Sequence, residues 1–74
     1  LHNEFDLLLN ITDEEKKIAS DMFSAASEFE SSICASSNIN ELISINKNMQ
    51  NTIDDIIIEE YMLYKKALNI INGT

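Results

Sequence analysis

The side chains able to do chemistry are few and widely spaced. His2 is the only histidine and Cys34 the only cysteine. A catalytic thiol needs a base within hydrogen-bond reach and a nearby cation to hold its thiolate. His2 stands at a chain end and no lysine neighbours Cys34, so the cysteine reads as a small hydrophobe on a helix. Carboxylates occur as Asp54-Asp55 and Glu59-Glu60, with Asp55 and Glu59 four apart on one helical face. That spacing can share a cation, but the di-metal bundle pattern also needs Glu-x-x-His on facing helices, which is absent, so these acids read as a solvated face. Asn10-Ile11-Thr12 and Asn72-Gly73-Thr74 match the N-glycosylation pattern, yet such matches arise readily in an asparagine-rich chain and no secretion signal accompanies them. The expectation is a protein with no catalytic residue, metal, cofactor or small-molecule substrate.

Charge narrows the partners. A formal charge of −8, with five lysines and no arginine, lacks the basic stripe that phosphate binding requires and argues against nucleic acid. No apolar run reaches the ~20 residues that span a bilayer. The cytoplasm is then the default compartment. The sequence opens at Leu1 rather than methionine, which leaves open the loss of a few leading residues. With 74 residues and one cysteine, the chain has neither a large core nor an internal disulfide, so a protein partner is the expected source of added stability.

The elements follow from missing breakers. There is no proline, and the only glycine is Gly73, which favours long helices over strands and turns. Thr12-Asp13-Glu14-Glu15 has the form of a capping box and predicts a helix start there. Ile18, Met22, Ala25 or Ala26, Phe29 and Ile33 continue at three- and four-residue steps, beside a row of Ser20, Ser24, Ser27 and Ser31 that reads as a solvated face. Ala35 to Glu41 is the best turn, with Asn38 or Asn40 as the next N-cap. Leu42, Ile45, Met49, Ile53, Ile56, Ile57, Tyr61, Tyr64, Leu68 and Ile71 then define a second helix. The expected architecture is all-α: an antiparallel helical hairpin with a short N-terminal helix or extension. It divides into a lead over 1–11, a first helix over 12–36, a turn over 37–40 and a second helix over 40–72. The second helix, at roughly 50 Å against roughly 35 Å for the first, overhangs onto the lead.

The second helix is apolar over about 180°, wider than the ~100° that faces a core in an ordinary surface helix. Ile58 and Met62 fall outside even that arc, among Asp55, Glu59, Lys66 and Asn69. The surplus predicts a docking surface for another protein, made by Tyr61, Met62, Tyr64, Leu68 and Ile71, with Ile58 as an outlying contact and Leu7 and Leu8 added from the lead.

The run Phe5 to Leu9, the Glu14-Glu15 and Ile18 that follow, and the spacing of Asn38 to Tyr64 with Ile56-Ile57-Ile58 together resemble the small needle-protein co-chaperones of type III secretion, of the YscE, PscE and SsaE type. The resemblance spans nearly the whole chain, and its one near-literal match is the Asp6-Leu7-Leu8-Leu9 run. It implies a non-enzymatic, cytoplasmic α-hairpin in a Gram-negative bacterium. Such a protein binds and stabilises a larger helical-repeat (TPR-like) chaperone, and the pair keeps the needle subunit monomeric before export. Two rivals remain: a type III needle or inner-rod subunit, disfavoured by a turn without proline, and a small acidic inhibitor or immunity protein acting through its charge.

Overall fold

The computed structural model describes residues 4–72. Two helices, α1 (Glu4–Ala35) and α2 (Ile39–Asn72), pack against each other as a hairpin measuring 57 × 16 × 10 Å, and no strand occurs among the described residues.

Helix α1 begins at Glu4, so the lead is its first turns rather than a separate segment. The boundary expected at Thr12 does not form because nothing near it breaks a helix. The Thr12 hydroxyl donates to the Leu8 carbonyl at 3.1 Å, the back-bond of a threonine inside a helix. Glu4 and Asp6 now occupy the first turn, where carboxylates suit the positive end of the dipole.

The turn falls where the polar cluster stands. Ser36 closes α1, its backbone N–H and its hydroxyl both donating to the Ile33 carbonyl, at 3.2 and 2.7 Å. Asn38 is the N-cap of α2: its Oδ1 accepts from the Glu41 N–H at 2.9 Å. The Glu41 carboxylate reaches back to the Ser37 N–H at 2.7 Å. This exchange resembles a capping box shifted by one residue, and it satisfies amides that a helix start leaves unpaired. Asn40, the other cap candidate, lies within α2.

Along the seam, Leu8, Ile11, Ile18, Ala25 and Phe29 of α1 are covered by Ile45, Met49, Thr52, Ile56, Leu63, Ala67 and Ile70 of α2, at steps of three, four or seven residues. Such a spacing keeps one stripe of each helix facing its neighbour. Among the described residues only Ile18, Ile56 and Leu63 are buried, with Ile11 packed against them. A thin core is the direct consequence of two helices with no third layer: each covers about one stripe of the other, and everything beyond stays in water.

Candidate interaction surface

In antiparallel helices the residues displaced in the same rotational sense from the seam fall on the same side of the pair. At about 100° per residue, Ala19, Met22, Phe23 and Ala26 of α1 and Ile53, Ile57, Tyr61, Tyr64 and Leu68 of α2 share that sense. The geometry agrees, because Met22, Ala25, Ala26 and Phe29 line a groove with Met49, Ile53, Ile56 and Ile57 that encloses about 310 Å³. A shallower depression continues it past Ala19 and Phe23 to Glu15 and Glu60. Phe23 stands on this face 75% exposed.

The opposite side is built differently. Glu14, Lys17, Glu59 and Met62 border the seam there. Lys66 Nζ donates to Glu14 Oε1 at 3.1 Å across the two helices, with both side chains about half exposed. Helices α1 and α2 thus present one broad apolar face and one charged face.

At the edge of the apolar face, Glu60 of α2 meets Glu15 of α1. The pKa of Glu60 is raised above the ordinary carboxylate value, first by a hydrogen bond with Glu15, then by lost solvation and by repulsion from the Glu15 charge. Its Oε1 is covered from solvent between the helices.

Among the residues expected to bind a partner, Tyr61, Tyr64 and Ile71 are exposed, Leu68 is half-buried, Leu7 is exposed and Leu8 is half-buried in the seam. The Tyr61 and Tyr64 rings lie 6.5 Å apart and Lys65 Nζ sits 5.7 Å from the Tyr61 ring, so this edge is an ordered aromatic patch. Ile58 and Met62 are exposed but stand on the outer, charged side of α2, away from the groove. Phe23 and the groove it borders escaped sequence reasoning. Phe23 lies one residue off the α1 stripe, and its face emerges only when both helices are placed together.

Asp55 and Glu59 stay on the charged side, and no cluster of metal-ligating side chains occurs among the described residues. Cys34 is exposed rather than packed. His2, with which sequence reading expects Cys34 to form no catalytic pair, and the Asn72-Gly73-Thr74 pattern reach outside the described residues. No described helix is long and apolar enough to cross a membrane.

Comparison with known proteins gives one family. The family model described as an alpha-helical endospore appendage domain matches residues 4–74. Neither a curated protein nor a solved structure matches the chain. The family match overturns the type III co-chaperone resemblance, and with it the helical-repeat chaperone and needle subunit as partners, the needle and inner-rod rivals, and the cytoplasm of a Gram-negative cell. The resemblance failed for a physical reason. A short acidic hairpin with surplus apolar surface follows from small size and an uncovered face, and it does not specify what the face meets.

Proposed function

The chain belongs to the alpha-helical endospore appendage domain family, and from that premise we propose that it is a non-enzymatic structural component of an appendage on the surface of a bacterial endospore. Its working part is the apolar face of the hairpin, which joins it to neighbouring subunits. The observation that carries this reading is the division into two faces: Met22, Phe23, Ile53 and Ile57 on one, and the Glu14–Lys66 pair with Lys17 and Glu59 on the other. A subunit of a surface structure needs one side that adheres and one that remains hydrated, and apolar patches of this extent mark protein contacts.

Catalysis plays no part in this reading, since the chain acts by being built in. Gold-labelled antibody raised against the chain and applied to intact spores in the electron microscope tests it. Label along the appendages, absent from spores of a deletion strain, is the expected result. Spores that carry unlabelled appendages while the protein stays inside the mother cell would overturn it.

A further inference from the structure

We infer that the apolar face is covered by a second copy of the chain, laid antiparallel across it so that the two grooves oppose and four helices enclose one core. This deepens the appendage reading and rests on its claim that the face is an assembly surface.

The surface area supports a partner of this size. The chain exposes 5929 Å², whereas a compact monomer of its 8.4 kDa exposes about 4,600 Å². The excess, about 1,300 Å², is larger than the ~800 Å² each partner contributes to a standard stable interface. A second hairpin supplies two further helices, so that a four-helix bundle gives the apolar flank of each helix a neighbour.

The face also suits its own copy in shape and charge. Phe23 projects beside a groove whose floor includes Ala25 and Ala26, small residues that leave room for a ring. Both the projection and the groove lie near the middle of the hairpin, so a twofold axis through that region sets each Phe23 against the other groove. With the lysines Lys17 and Lys66 on the other face, pairing apolar sides leaves both charged sides in water.

Direction follows from Glu15 and Glu60. Parallel hairpins would stack this acidic pair on its symmetry mate, gathering four carboxylates in one place. Antiparallel hairpins separate the two pairs by about 24 Å along the bundle, since Glu15 lies eight residues from Phe23, where the axis passes, and the helix rises about 1.5 Å per residue.

Sedimentation equilibrium of the reduced full chain, with spin labels on Cys34 for distance measurement, tests the inference. The expected results are twice the 8.4 kDa chain mass and an inter-label distance of about 35 Å, because Cys34 lies eleven residues from the axis at Phe23 and the two turns are at opposite ends. Phe23→Asp with Ile57→Lys should weaken association at least tenfold, while Met62→Lys on the charged face should leave it unchanged. Circular dichroism confirms that the variants keep their helices, and the label distance in the unsubstituted protein stands independently of them. A helical monomer at all concentrations, a dimer with labels within about 20 Å as parallel hairpins require, or a Met62→Lys variant as impaired as the double variant would each overturn the proposal. None of these outcomes bears on whether antibody decorates spore appendages, so failure here and failure of the appendage reading are told apart.

Discussion

The two long faces of the hairpin are made by the same helices, yet they meet water on opposite terms. One exposes Met22, Phe23, Ile53 and Ile57 around a groove, and the other holds Lys66 on Glu14 beside Lys17 and Glu59. The contrast separates what keeps the hairpin together from what the hairpin is for. A thin seam with a buried cluster of Ile18, Ile56 and Leu63 joins the helices. The apolar side chains around the groove lie outside the seam on one side, where a single chain leaves them in water.

The largest effect that sharpens this contrast lies in the seam. Leu63→Ala removes a side chain that is 6% exposed and should cost about 2–5 kcal/mol. With so small a core the isolated chain should lose most of its helix, as read by circular dichroism during denaturation. If Ile57→Ala, on the open face, costs as much in the isolated chain, the distinction between seam and face fails.

A smaller effect is expected at the turn that sets the two faces side by side. Asn38→Ala removes the acceptor for the Glu41 N–H and should destabilise the hairpin by about 1 kcal/mol, read as a lower midpoint in urea. An unchanged midpoint would mean that Ser37 and Glu41 hold the turn without the cap.

The acidic pair at the edge of the apolar face supplies a pH test. Glu60 binds its proton more tightly in the folded chain than in the unfolded one, because Glu15 shares a hydrogen bond with it and repels its charge. Its contribution to stability is present below the ordinary carboxylate pKa and is lost as pH rises through the raised value. The melting temperature should therefore fall over that window, and Glu60→Gln should flatten the fall and raise the melting temperature at neutral pH. An identical pH profile for the variant would show that the pair does not matter.

The smallest effect belongs to the charged face. Lys66→Ala breaks an exposed ion pair and should change stability by no more than ~1 kcal/mol, less at high salt. A larger loss would make the charged face part of what holds the helices together.

Much of the fold was legible in the residues. The absence of breakers, the three- and four-residue apolar steps and the polar cluster from Ala35 to Glu41 point to the two helices and the turn between them. The start of α1 was not, because Thr12-Asp13-Glu14-Glu15 has the composition of a cap and only the backbone shows that its threonine bonds backward to Leu8. The excess width of the α2 arc was visible, but a wheel drawn for one helix cannot say which flank adjoins which flank of its neighbour. Closing the hairpin brings Ile53 and Ile57 beside Met22 and Ala26, and leaves Ile58 and Met62 on the far side. What meets the face was not legible at all. Apolar periodicity records that a surface seeks cover, and the spore family entered through comparison of the whole chain.

The chain carries its own reporters for the central claim. Met22 on the apolar face and Met62 on the charged face are 51% and 65% exposed in the single hairpin, and methionine oxidation follows exposure. Brief peroxide treatment of purified spore appendages, followed by mass spectrometry of the released chain, compares the two in one molecule. Met22 should oxidise several-fold more slowly than Met62 in the appendage and at a similar rate once the chain is dissociated. Equal rates in the intact appendage would show the apolar face open to water there and contradict the account.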